Sequence, residues 1–131
     1  MVFVGFLEEI ILRGFLFKAM AENNLKSAII VSSITFGIGH FVNLINGSGA
    51  KLLPNICQVV SAIAIGFLFV ALFHKTKSLW APIIAHAVIN SLSALAVDIT
   101  NTQQIITSAV ISTIAVIYAI FLLKKPKCYA E

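Results

Sequence analysis

Charged side chains are scarce in this sequence of 131 residues. Asp, Glu, Lys and Arg together make up 11% of the chain, whereas a soluble globular domain usually has about 25%. Hydrophobic residues make up 60%, and the mean hydropathy is +1.02. This composition is too apolar for a domain whose whole surface faces water. It indicates that lipid surrounds most of the chain.

Cysteines and clustered basic residues are also few. Cys57 and Cys128 lie far apart in the sequence, so they predict neither a disulfide framework nor a pair of metal ligands. Cys57 lies in an apolar run and is expected to be a small buried hydrophobe. The net charge is +4, but the basic residues are scattered and form no basic helix face. We therefore expect no nucleic-acid partner.

Long apolar runs are what the sequence does contain. A membrane-spanning helix needs about 20 mostly apolar residues, and the breaks between the runs carry polar and turn-forming residues such as "AENNLKS" and "NGSGAKLLPN". Backbone groups in lipid must be hydrogen-bonded internally, which favours helices for runs of this length. We predict an all-α bundle with about five spans in a core of residues 1–123, followed by a tail of residues 124–131. The predicted spans are residues 1–20, 28–46, 56–74, 79–98 and 105–123.

The distribution of lysines predicts the orientation in the membrane. With five alternating spans, seven lysines fall on one side and Lys51 falls on the other. Cytoplasmic loops are enriched in Lys and Arg, so we expect the N-terminus outside and the C-terminus in the cytoplasm. The sequence opens directly into an apolar segment, and we expect further helices upstream in the complete protein. The seven lysines are Lys18, Lys26, Lys75, Lys77, Lys124, Lys125 and Lys127.

Several polar residues lie inside the predicted spans, where ionisable groups usually face a bundle interior or a wet cavity. Glu9 and Arg13 are four residues apart, so they share a helix face and can pair. Glu8 points away from Arg13 and is left free for chemistry. His86 and Asn90 are also four residues apart, so their side chains are expected to point in the same direction.

Four polar residues of the predicted spans are expected at a similar depth in the membrane. Glu8, His40, His86 and Asn90 lie roughly 12–21 Å from the ends marked by lysines, at about 1.5 Å per residue. Their common depth suggests a single site. The alternative for a lone His or Asn is an interhelical hydrogen bond worth about 0.6–2 kcal/mol. Gly37 and Gly39 are expected to allow close helix approach.

Three motifs carry a resemblance to a known family. "EEIILR" matches EExxxR, "FGIGH" matches FxxxH and "HAVIN" matches HxxxN, in this order and in successive predicted spans. The chain, over roughly residues 3 to 95, resembles the CAAX-protease and bacteriocin-processing (CPBP) family, which includes the type II CAAX prenyl endopeptidases. The resemblance implies an all-helical intramembrane endopeptidase, in a bacterial cell membrane, that acts on a membrane-associated protein or peptide.

The resemblance also implies roles for individual residues. Glu8 and His40 match the pair that activates a water, and His86 and Asn90 match the pair that stabilises the oxyanion. Supporting positions match Glu9, Arg13 and Phe36. No cofactor is expected, because the HExxH helix of common zinc peptidases is missing from the sequence. The alternative is a zinc ion held by Glu8, His40 and His86, with an open fourth position.

Two other classes of function remain open from the sequence. One is a non-catalytic membrane protein of the same fold, such as a bacteriocin self-immunity protein or a scaffold, which would not need the complete set of polar residues. The other is a proton-coupled transporter. It is less favoured because the sequence lacks a pair of helices interrupted by Gly or Pro.

Overall fold

All regular elements that the structure describes are helical. The structure is a computed structural model, and it describes residues 2–46, 51–94 and 99–124. The prediction of an all-α membrane bundle is confirmed. In chain order the elements are α1 (Val2–Glu9), a π-helix (Ile10–Phe17), α2 (Lys18–Ala21), α3 (Leu25–Gly39), α4 (Val42–Ile45), α5 (Leu52–Thr76), α6 (Trp80–Ala94) and α7 (Asn101–Lys124).

Within the described parts of the chain, three helical segments are long and apolar enough to cross a membrane: Leu25–Ile45, Leu52–Thr76 and Asn101–Lys124. The other two predicted spans correspond to the continuous helical segment 2–21 and to α6. Residues 95–98, where the fourth predicted span ends, and the tail beyond Lys124 lie outside the described residues. The orientation in the membrane stays a prediction.

Two of the long helices, α3 and α7, have polar residues at their N-terminal ends. They therefore start before the apolar runs from which the spans are predicted. The Asn24 side chain caps α3 by accepting a hydrogen bond from the Ser27 amide at 3.1 Å. Before α7, the Gln103 side chain accepts from the Thr100 amide at 2.9 Å, and the Gln103 amide donates to the Thr100 hydroxyl at 3.3 Å. These reciprocal bonds form a capping box, which lets α7 start earlier than hydropathy indicates.

Helix α5 lies at the centre of the bundle and packs against α3, α6 and α7. Two apolar clusters hold it in place, and each combines α5 with α3 and with the helical segment at the start of the chain. Cys57 is buried and has a free thiol, as predicted. The first cluster contains Leu12, Phe36, Ala62 and Phe69, and the second contains Phe17, Ala28, Val70 and Phe73.

Helices α3 and α5 come into close contact at Gly37. A Cβ atom at this position would lie 2.8 Å from the Ile63 amide nitrogen and 3.0 Å from the Val59 carbonyl oxygen. A Cβ atom at Gly39 would have no neighbour within 4 Å. The expectation that both glycines allow close helix approach is therefore confirmed for Gly37 and wrong for Gly39.

The segment that follows the two glutamates is a π-helix over Ile10–Phe17, whereas the sequence indicated a regular α-helix. Such widened turns are rare and occur frequently at functional sites. Ser32 of α3 donates its hydroxyl to the Leu12 carbonyl at 3.1 Å, and both residues are buried. This bond gives a backbone acceptor in the π-helix a partner from the neighbouring helix.

The two glycines of α3 provide a matched test of the packing. We expect Gly37→Ala to lower the free energy of unfolding by about 1–3 kcal/mol, because the new methyl group overpacks the contact with α5. Gly39→Ala should leave it unchanged or raise it by up to about 1 kcal/mol, because alanine favours helix and the site is open. Thermal unfolding of both variants in one detergent measures this difference. Equal stability of the two would contradict the described contact between α3 and α5.

Candidate functional site

Glu9 and Arg13 form a buried ion pair on the first helical segment. The Arg13 Nη1 atom donates to Glu9 Oε1 at 3.1 Å, and both side chains are 0% exposed. Arg13 Nη2 also donates to the Gly66 carbonyl of α5 at 2.9 Å. The pair predicted from the spacing of four residues is confirmed. Arg13 in addition ties the first segment to the central helix.

Two phenylalanine rings enclose the guanidinium group of Arg13. Its Cζ atom lies 4.9 Å from the centroid of Phe36 and 5.4 Å from that of Phe69. Such contacts attract a cation to the ring face, most strongly where water is excluded. Gly66 makes room for this arrangement, because a Cβ atom there would lie 3.0 Å from Phe36 Cδ1.

His86 of α6 contacts both glutamates of the first segment. Its Nδ1 atom lies 3.0 Å from Glu9 Oε1, within hydrogen-bond distance. Its Nε2 atom lies 3.7 Å from Glu8 Oε2, within ion-pair distance. His86 is 3% exposed, and its ring stacks on Phe69 at 5.0 Å between centroids. Glu9, Arg13, His86 and Glu8 therefore form one connected group, called here the charged cluster.

The contact between Glu9 and His86 is the feature that sequence reasoning missed. The spacing of residues predicts Arg13 as the partner of Glu9, whereas His86 is 77 residues further along the chain. Helical periodicity reports faces within one helix, so it gives no signal for a pair that forms between two helices. Gly5 of α1 makes room for the His86 ring, and no sequence pattern indicates this contact either. A Cβ atom at Gly5 would lie 3.2 Å from three atoms of the ring.

His40 lies at the C-terminal end of α3, where it is the capping residue. Its ring meets Phe36 edge-on, with 5.4 Å between the centroids, and its Nδ1 atom lies 3.4 Å from Gln58 Nε2. Among the described residues, no hydrogen bond or ion pair joins His40 to Glu8. The carboxylate of Glu8 lies within ion-pair distance of the His86 ring instead.

A cavity of about 590 Å³ opens beside the two histidines. His40, His86 and Asn90 line it, as does Phe36, which lies between the two histidine rings. Glu8 is not part of the lining, and its side chain is 37% exposed. Most of the remaining wall is apolar and comes from α5, α6 and α7. Three of the four residues predicted to share a site thus face one cavity, and the fourth contacts His86.

The described residues contain no group of side chains suited to hold a metal ion. Within residues 2–46, 51–94 and 99–124, no three side chains of His, Cys, Asp or Glu are grouped so that they could hold a metal ion. Glu8, His40 and His86, the set considered for zinc, contact one another only through the pair Glu8–His86. The assignment of these residues as ligands or as catalytic groups stays a prediction.

Comparisons with known proteins identify relatives of this chain. The family model described as type II CAAX prenyl endopeptidase Rce1-like matches residues 1–92. The Bacillus subtilis (strain 168) protein named "Putative membrane peptidase YdiL" is 35% identical over 86 residues, which are 65% of this chain. The aligned part is 30% of that relative's length, so the chain spans less than a third of it. No solved structure matches the chain.

Removing one charge from the buried pair should destabilise the protein. We expect Glu9→Gln to lower the free energy of unfolding by about 3–5 kcal/mol, because it leaves the Arg13 charge buried without its anion. The double variant Glu9→Gln, Arg13→Met removes both charges and should recover part of this loss.

The matched control for this experiment is Glu22→Gln, since Glu22 is exposed and its change should have an effect within about 0.5 kcal/mol. Folded yield and thermal unfolding of all three variants in the same detergent measure the effect. A Glu9→Gln protein as stable as the control would show that the pair does not hold the bundle together.

Proposed function

The chain belongs to the type II CAAX prenyl endopeptidase Rce1-like family, and from this premise we propose that it is an intramembrane endopeptidase. It would hydrolyse a peptide bond in a membrane-associated protein or peptide. The observation that carries the proposal is the position of His86, which contacts Glu8 at 3.7 Å and lines the same cavity as His40 and Asn90. Amide hydrolysis needs a base, oxyanion donors and an acid, and this group of side chains offers all three.

In the proposed reaction, Glu8 accepts a proton from the attacking water, and His40 helps to hold that water. The partial exposure of Glu8 supports this role, because water and substrate must reach the base. Glu9 is a poor candidate for the same role, since its side chain is 0% exposed and its Oε1 atom is already shared between Arg13 and His86. The proton that Glu8 gains is then available for the leaving amine.

His86 and Asn90 are the proposed donors to the oxyanion. The bond between His86 Nδ1 and Glu9 sets a condition on this role, because a neutral imidazole that donates from Nδ1 has a bare Nε2. The Nε2 atom, 3.7 Å from Glu8 Oε2, can donate to the oxyanion only when it carries a proton. The side-chain amide of Asn90 donates without any such condition.

Because the cavity lies within the helix bundle, we infer that the substrate reaches it from the bilayer. The cavity wall is mainly apolar, with side chains such as Ile65, Leu68 and Ile111. Such a wall suits an apolar peptide segment or a lipid-modified chain end better than a charged soluble peptide. The competing proposal, a non-catalytic immunity or scaffold protein of this fold, predicts that no peptide is cleaved.

The test is cleavage by the full chain in lipid nanodiscs, followed by mass spectrometry. The probes are a peptide with a farnesylated CaaX end, the same peptide without the lipid, and a peptide with one membrane span. We expect Glu8→Gln to lower turnover at least 100-fold, since glutamine cannot accept the proton, while thermal stability stays near that of the wild type. Glu22→Gln should keep wild-type turnover. A Glu8→Gln variant that cleaves normally would overturn the assignment of Glu8 as the base.

The proposed reaction uses no metal, and the same assay tests this point. We expect turnover to be unchanged after exhaustive chelation, because Glu8 and the histidines act directly on water and substrate. Loss of activity on chelation, with recovery on adding zinc, would instead make Glu8, His40 and His86 metal ligands. Zinc added without prior chelation serves as the control for inhibition by excess metal.

A further inference from the structure

Two polar residues of α5, Asn55 and Gln58, both contact His40. They are three residues apart and share one helix face. We propose that they are positioning residues for His40: Asn55 fixes its backbone, and Gln58 fixes the ring and its tautomer. This inference rests on the proposed function only for the consequence in catalysis. The contacts themselves belong to the fold.

Asn55 holds the end of helix α3. Its Nδ2 atom donates to the His40 carbonyl oxygen at 3.0 Å. The same oxygen accepts from the Asn43 amide at 3.2 Å, so Asn55 adds a side-chain partner to the backbone turn at this helix end. Asn55 is 2% exposed, and its Oδ1 atom is buried with no hydrogen-bond partner among the described residues. Burying an amide with an unpaired oxygen is costly. The bond to His40 is the contact that accounts for an asparagine at this position.

Gln58 determines which nitrogen of the His40 ring carries the proton. Its Nε2 atom lies 3.4 Å from His40 Nδ1, and its Oε1 atom accepts from Asn43 Nδ2 at 3.4 Å. The amide has its oxygen towards Asn43 and its NH₂ group towards His40. An NH₂ group can only donate, so the proposed role of Gln58 requires an accepting Nδ1 on His40 and places the proton of the neutral ring on Nε2.

This tautomer has a consequence for the proposed reaction. His40 then offers an N–H group from Nε2, with which it can hold the attacking water, and the base must be another residue. Glu8 remains as the proton acceptor. The edge-on contact with Phe36, at an interplanar angle of 89°, limits rotation of the ring, so the Gln58 bond selects between two tautomers of a ring that is already oriented.

The direct test is the ¹⁵N NMR spectrum of the histidine-labelled full chain in lipid nanodiscs, with His40 assigned by the signals lost in His40→Gln. We expect wild-type His40 to be protonated on Nε2 and bare on Nδ1. Gln58→Glu places an acceptor beside Nδ1 and should move the proton there. Gln58→Leu, of similar size, should give a mixture of the two tautomers. Gln58 is exposed, so both variants are expected to fold.

Turnover of the cleaved peptide probe supplies the second measurement. We expect Gln58→Leu to lower kcat roughly three- to tenfold at unchanged KM, as for the loss of one hydrogen bond in the transition state. The control is Thr113→Val on α7. Among the described residues, the Thr113 hydroxyl bonds only to the Ala109 carbonyl of its own helix. This variant should keep both the His40 spectrum and wild-type turnover.

The two measurements separate the failure of this inference from that of the proposed function. The inference would be overturned if wild-type His40 carried its proton on Nδ1, or if the tautomer of His40 did not change in Gln58→Glu. Normal kcat in Gln58→Leu despite an altered tautomer would overturn the catalytic consequence. The expected spectra in a chain that cleaves none of the probes would support the tautomer assignment and contradict the endopeptidase.

Discussion

The carboxylate of Glu9 is the point on which the arrangement of the site depends. Its Oε1 atom contacts the guanidinium of Arg13 at 3.1 Å and the ring of His86 at 3.0 Å. Arg13 in turn bonds to the Gly66 carbonyl of α5. One buried oxygen thus joins the first helical segment to α6, and the arginine continues the connection to α5. Because all these groups are shielded from water, the loss of any one of them leaves another buried and unpaired.

Helix α5 gives the site its second support. Gly66 accepts a bond from Arg13 near the middle of α5, while Asn55 and Gln58 contact His40 nearer its N-terminal end. Phe36 lies between the two histidines, with ring centroids 5.4 Å from His40 and 5.3 Å from His86. The FxxxH spacing therefore has a physical reason. Residues four positions apart lie on the same face of a helix, so the phenylalanine ring lies beside the histidine ring.

Parts of this arrangement could be predicted from the sequence because they depend on spacing within one helix. The pair Glu9–Arg13 and the helical character of the apolar runs are of this kind. Contacts between helices could not be predicted, because hydropathy and periodicity contain no information on which faces meet. The bond from His86 to Glu9 and the contacts of Gln58 fall in this second group. Gly39 shows the same limit, since a small residue permits close approach but does not require it.

The most direct test of the account is a double-mutant cycle between Glu9 and His86. The free energy of unfolding is measured for the wild type, Glu9→Gln, His86→Gln and the double variant in one detergent. The account predicts a coupling energy of at least about 1 kcal/mol, because the two side chains share a buried hydrogen bond. Effects that add within about 0.3–0.5 kcal/mol would contradict it, since they would mean that Glu9 does not hold His86 in place.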